Sequence, residues 1–128
     1  MELTRIHHVA IICSNYEQSK RFYTEVLGLE VLGETYRADR DSYKLDLQVG
    51  GIYQIELFSF RDAPERPSYP EARGLRHIAF EVESIAEAVR ELERKEIEVE
   101  PVRIDPVTGK AFAFFADPDG LPIELYEK

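Results

Sequence analysis

A histidine and a glutamate recur in this chain at almost the same separation. His8 and Glu56 lie 48 positions apart, and His77 and Glu124 lie 47 apart. Their surroundings recur as well: "HVAI" at His8–Ile11 returns as "HIAF" at His77–Phe80, and "QIELF" at Gln54–Phe58 returns as "PIELY" at Pro122–Tyr126. Neutral imidazole nitrogen and carboxylate oxygen suit zinc, nickel, cobalt, iron or manganese. Two glutamates balance a 2+ charge, and four protein ligands leave room for one or two waters, the mark of a catalytic rather than a structural site. Two carboxylates brought together without a cation between them are costly to bury.

Two copies of so long a period imply two fused modules, not a solenoid. Each module reads strand, helix, then three strands. In the first, the apolar run predicts a strand over about 4–12. Asn15 caps a helix with Gln18 at the capping-box position, and Tyr16, Ser19, Phe22, Tyr23, Val26 and Leu27 form its inward stripe up to a stop at Gly28. Strands follow near 31–36, 43–49 and 53–60, with Gly50-Gly51 as the tight turn between the last two. In the second, a strand over about 76–82 leads to a helix capped by Ser84 with Glu87, striped by Ile85, Ala88, Val89 and Leu92. Strands then follow near 97–102, 110–116 and 122–126, the last two joined by the turn Asp117-Pro118-Asp119-Gly120. The stretch 61–73, with Pro64, Pro67 and Pro70, has neither strand nor helix period and is read as a stiff linker. The expected organisation is one domain over 1–128, made of module 1 (about 4–60), the linker and module 2 (about 74–128).

Strand alternation sorts the side chains. Ile11 and Cys13 share one face of the first strand and His8, Ala10 and Ile12 the other. Ile55 and Leu57 oppose Glu56, and Ile123 and Leu125 oppose Glu124. The apolar faces must pack under the amphipathic helices. His8, Glu56, His77 and Glu124 then all lie on the face turned away from the helices, which lines a cavity if the two sheets curl toward each other. By the same alternation His7, the counterpart of Arg76, points to the helix side or the strand edge, and His7→Ala is expected to leave turnover near wild type. Cys13 is expected to be a buried core thiol.

Composition bounds the partners. The 128 residues are 44% hydrophobic and 32% charged, an ordinary globular balance. Sixteen basic against twenty-five acidic residues give a net charge of −9, which argues against nucleic acid and against an anionic membrane. A small-molecule substrate fits better. Glu2, Arg5, Glu17 and Lys20 interrupt any signal-peptide core, and a single cysteine excludes an internal disulfide, so a cytoplasmic location is expected.

The paired modules, "SKRFYTEVLGLE" after the first strand and "FADPDGLPIELYE" at the end resemble the vicinal oxygen chelate superfamily, and within it glyoxalase I-like (lactoylglutathione lyase-like) proteins. The segments "YRADRDSYKLDL", "IELFSF" and "PERPSYPEARGLRHIAF" resemble its small bacterial YaeR-like branch. The resemblance covers the whole chain. It implies an α+β fold of two tandem βαβββ modules forming a curled mixed sheet around a metal-binding cavity. It also implies His8, Glu56, His77 and Glu124 as ligands of one divalent ion (nickel, zinc, cobalt or manganese), and a homodimer in which each site is built within one chain or shared across two.

The activity so implied is a glyoxalase I-like lyase or isomerase. It acts on an α-ketoaldehyde–thiol adduct or related small carbonyl compound, by proton transfer through a metal-bound enediolate. Glu124, with Glu56, is the catalytic carboxylate. Glutathione-dependent members carry an arginine four residues after the first ligand histidine and an asparagine four after the first ligand glutamate; here those positions are Ile12 and Phe60. Arg73, four before His77, matches an arginine of some members. Candidate substrate contacts are Arg73, Lys110, Arg37, Phe58, Phe60 and Tyr126, with Arg40, Lys44 and Arg103 as further cations for an anionic group. The competing readings are an extradiol-type dioxygenase, a thiol transferase, and a non-catalytic small-molecule-binding protein of the same superfamily.

Overall fold

A computed structural model describes residues 1–128 and divides them into two compact units, Met1–Pro64 and Glu65–Lys128. In the first unit the order is β1 (Val9–Cys13), α1 (Tyr16–Arg21), a π-helical turn (Phe22–Val26), β2 (Glu30–Arg37), β3 (Ser42–Val49) and β4 (Ile52–Ser59). The second holds β5 (Ile78–Val82), α2 (Ile85–Arg94), β6 (Arg103–Ile104), β7 (Ala111–Ala116) and β8 (Pro122–Glu127). Each unit forms one four-stranded mixed sheet, in the orders β1-β4-β3-β2 and β5-β8-β7-β6. The class is α+β, and the βαβββ plan read from the repeat is present twice. The segment 61–73 carries turns but no strand or helix; its first four residues go with the first unit and the rest with the second.

Both helices begin where the caps predict. Asn15 accepts from the Gln18 backbone N–H and Ser84 from that of Glu87, so each cap satisfies one orphan donor of the first turn. α2 packs on β7 and β8 and α1 on β4, which buries one face of each sheet. Cys13, Tyr23, Leu45, Leu47 and Leu57 fill the first core, and Ile85, Leu92, Ala113, Phe115 and Ile123 the second. Cys13 is a buried thiol outside any disulfide, as its strand position required. Leu57 is fully enclosed, so Leu57→Ala leaves a cavity under the sheet and is expected to cost about 2–5 kcal/mol, read as a lower urea midpoint with an unchanged m-value.

Four boundaries differ from the expectations. The first strand begins at Val9 instead of residue 4, and the fifth at Ile78 instead of 76, so both histidines precede their strands. The first helix is not α-helical to its end. The Thr24 hydroxyl donates to the Lys20 carbonyl, the acceptor its own N–H would use in an α-helix, and Leu27 N–H bonds to the Phe22 carbonyl five residues back. This wider turn buries Phe22 and Tyr23 side by side before Gly28, at φ 72°, ends the helix. The expected strand at 97–102 is absent. Pro101 would stand opposite Phe114 in the β6–β7 register but has no N–H for a ladder, so Glu100 N–H to Phe114 O is the one bond there and pairing resumes at Arg103.

No helix is long and apolar enough to cross a membrane.

Candidate metal centre

In each unit the first and last strands run parallel, and the register is the same in both. Ala10 pairs with Glu56 in β1–β4, and Ala79 pairs with Glu124 in β5–β8. Each histidine sits two residues before that alanine, so it meets the glutamate from the neighbouring strand. His8 Nε2 lies 3.6 Å from Glu56 Oε2, and His77 Nε2 lies 3.1 Å from Glu124 Oε2. Alternation holds beneath them. Ile11, Ile55, Leu57, Ile123 and Leu125 are buried, whereas Ala10 and Ile12 are exposed on the opposite face. Neither unit gathers three His, Cys, Asp or Glu side chains into a metal-sized group; each contributes one pair.

The two pairs have different surroundings. Opposite Glu56 on β3 stands Asp46, and opposite Glu124 on β7 stands Phe114. Lys44 Nζ reaches Glu56 Oε1 at 3.1 Å and Asp46 Oδ1 at 3.2 Å, while the Tyr53 hydroxyl bonds to the same two oxygens, at 2.5 and 2.7 Å. Burial works to raise the Glu56 pKa, but the Tyr53 and Lys44 hydrogen bonds outweigh it and hold the carboxyl below its ordinary value. The Lys44 pKa is raised, chiefly by its bond to Glu56, and burial followed by the carboxylates raises that of Tyr53. Oε1 of Glu56 is thus committed to the chain, while Oε2 is left facing the His8 nitrogen. In the second unit His77 is the one charged or polar side chain paired with Glu124, and its ring meets Phe114 edge-on at 5.1 Å. The donor set fits a divalent ion: each pair points an imidazole nitrogen and a carboxylate oxygen at each other with no third group between.

Two residues of this site escape the sequence reading, and a third has partners other than the expected ones. Tyr53 escaped because β4 carries a bulge: Leu47 pairs with Ile55, but Gln48 pairs with Tyr53, so the extra residue breaks the alternation that would turn Tyr53 into the core. Asp46 was recoverable from cross-strand register. Lys44 was read as a cation for an anionic ligand; it is instead paired with two carboxylates of its own unit. Of the two placements expected for His7, helix side or strand edge, the helix side requires a correction. His7 does not turn that way, because residues 7 and 8 precede β1 and alternation does not bind them. Its Nδ1 lies 2.9 Å from His8 Nδ1, and its ring packs against Tyr53 at 5.4 Å.

The expected substrate contacts are dispersed. Phe58 and Phe60 follow Glu56 by two and four residues and stack at 5.9 Å. The Arg37 guanidinium lies over both rings, at 4.8 and 5.5 Å, and donates to Ser42 Oγ, while its Nε is buried without a partner. Arg40 covers Phe60 at 5.2 Å. Tyr126, two residues beyond Glu124, stacks on Phe112 and donates to Asp105. Lys110 bonds the Lys128 carbonyl, and Arg73 is exposed between the turn at 68–71 and β5.

The sequence profile of the Glyoxalase/Bleomycin resistance protein/Dioxygenase superfamily matches residues 5–125. The chain belongs to this superfamily. Among glyoxalase-superfamily relatives, the uncharacterized protein YwkD of Bacillus subtilis is 62% identical over the full length of both chains. The uncharacterized protein YaeR of Escherichia coli is 55% identical over 98% of each. The crystal structure of a glyoxalase family protein from Enterococcus faecalis superposes with a TM-score of 0.90 at 53% identity, covering 99% of this chain and 100% of that one. More distant superfamily relatives carry named activities. A 2-epi-5-epi-valiolone epimerase of Actinomyces is 28% identical over 94% of this chain and 77% of its own. The trypanothione-dependent glyoxalase I of Leishmania major is 27% identical with a TM-score of 0.74, covering 98% of this chain and 87% of that one.

Proposed function

We propose that this protein is a metal-dependent glyoxalase I-like lyase or isomerase, acting on an α-ketoaldehyde–thiol adduct or a related small carbonyl compound. The observation that carries the reading is the duplicated pair: the same histidine and glutamate, at the same strand register, with their ligand atoms turned to each other in both units. His8, Glu56, His77 and Glu124 would hold one nickel, zinc, cobalt or manganese ion, the two pairs coming from one chain or from two chains of a homodimer. When bound, such an ion polarises a carbonyl oxygen and stabilises the negative charge that develops on it.

The chain's own groups divide the remaining work. Glu56 is fixed by Tyr53 and Lys44 and acts as a ligand throughout. Glu124, held by His77 alone, takes a proton from the carbon next to the carbonyl and returns it to the neighbouring carbon. An epimerisation and a glyoxalase-type isomerisation share the first half of this step, removal of a proton from the carbon next to a carbonyl, and differ in the carbon to which the proton returns, which accords with both kinds of distant relative. The Phe114 ring lies edge-on against His77 and gives this pair an apolar side. Arg37, whose guanidinium lies over the Phe58 and Phe60 rings, would hold an anionic end of the substrate. Glutathione is not favoured as the thiol, because Ile12 and Phe60 stand where carboxylate-binding groups would be needed.

Proton-to-deuterium exchange at the carbon next to the carbonyl tests the reaction, using metal-loaded protein and adducts of glutathione, bacillithiol and free ketoaldehyde. Exchange with at least one supports the isomerase; none with any would leave the dioxygenase, transferase and binding-protein readings. With an active substrate in hand, Arg37→Ala is expected to raise KM roughly tenfold or more for anionic substrates with kcat little changed, the pattern of lost ground-state binding.

A further inference from the structure

We infer that His7 is a positioning residue for the metal centre: it fixes the tautomer and ring orientation of His8. The inference rests on the ligand set proposed above. His8 Nε2 faces Glu56 Oε2 at 3.6 Å, so the ring uses that nitrogen's lone pair when it ligates. A neutral imidazole then carries its proton on Nδ1. That Nδ1 lies 2.9 Å from His7 Nδ1, a hydrogen-bonding distance at which one nitrogen must donate and the other accept. With the proton on His8, His7 Nδ1 is the acceptor. The His7 ring is in turn held edge-on between His8, at 5.2 Å, and Tyr53, at 5.4 Å, and the Tyr53 hydroxyl bonds to Glu56. His7, Tyr53 and Glu56 thus brace His8 from both sides.

The second unit lacks this device. Arg76 occupies the position of His7, donates to the Ser68 carbonyl and lies over the Tyr69 ring. His77 has no side-chain partner other than Glu124, at 3.1 Å, and the Phe114 ring, edge-on against it. The two pairs therefore differ in stiffness: the His8 pair is braced by hydrogen bonds on both members, and the His77 pair is not. An outer partner that orients a ligating imidazole has a known scale of effect, roughly 10- to 100-fold in metal affinity.

Zinc titrated alone into the metal-free full chain, in competition with a chelating dye, gives the affinity. Nitrogen-15 NMR of the metal-free protein gives the His8 tautomer. The contacts of His7 with His8 and Tyr53 revise the expectation from strand alternation that His7→Ala is silent: the variant is expected to weaken zinc binding by roughly 10- to 100-fold, with turnover near wild type only at saturating metal. It should also reduce the Nδ1-protonated form of His8, with the thermal midpoint of the metal-free protein unchanged. His7→Asn and His7→Gln supply an amide carbonyl as acceptor, and whichever reaches His8 Nδ1 should recover much of both losses. Zinc affinity and His8 tautomer unchanged in His7→Ala, while His8→Ala loses zinc, would overturn the role of His7 and leave the metal centre intact. Zinc bound equally by wild type and His8→Ala would instead remove the ligand assignment on which the inference rests.

Discussion

Glu124→Gln is expected to lower kcat by roughly 10²–10⁴-fold, the range associated with a positioned acid–base group. Glutamine keeps the shape and a carbonyl oxygen but cannot accept and return a proton at neutral pH. The corresponding Glu56→Gln change should act differently. Glu56 sits in a network of Lys44, Asp46 and Tyr53, so its replacement disturbs several partners and weakens metal retention first. Glu124 faces Phe114 across the strand pair and has His77, at 3.1 Å, as its one side-chain partner, so few contacts oppose its movement. Deuterium exchange measured at saturating metal separates the two. If Glu56→Gln regains most of its rate with added metal and Glu124→Gln does not, the roles are as assigned. Equal recovery of both would remove Glu124 as the base.

The second large effect is on stability. A ligand that binds only the folded chain stabilises it by RT ln(1 + [L]/Kd), about 4 kcal/mol at a thousandfold excess over Kd. Metal-loaded protein should therefore melt roughly 10 °C or more above the chelator-treated form. His8→Ala and His77→Ala should each abolish most of this increment, while leaving the metal-free melting point close to wild type, because both side chains are about a third exposed and lie off the cores. A core substitution such as Leu57→Ala should do the reverse, lowering both melting points together. Scanning calorimetry with and without chelator checks all three variants. An increment that survives in both histidine variants would mean that the metal binds elsewhere.

Much of this architecture was legible because alternation and capping are local rules. Asn15 and Ser84 mark both helix starts, and the faces of β1, β4 and β8 follow from Ile11, Leu57 and Leu125 being apolar at every second position. The duplication then lent each half the evidence of the other, which is how His8 and Glu56 could be paired by comparison with His77 and Glu124. The failures fall where a non-local or backbone event overrides the local rule. The bulge in β4 turns Tyr53 onto the Glu56 side, and nothing in "GGIYQIELF" announces it. Pro101 suppresses a strand whose apolar pattern is otherwise adequate. Thr24 opens the first helix into a π-turn through one hydroxyl. The helix-side alternative for His7 fails because alternation does not extend to residues before the start of β1 at Val9.

The central claim is that the duplicated pair is a ligand set for a divalent ion. Elemental analysis after reloading and desalting tests it most directly, on wild type and on the His8→Ala/His77→Ala double variant. The account predicts about one zinc, nickel, cobalt or manganese ion per chain in the wild type, and little or none in the double variant. Wild-type protein that retains no metal, or a double variant that retains as much, would contradict it.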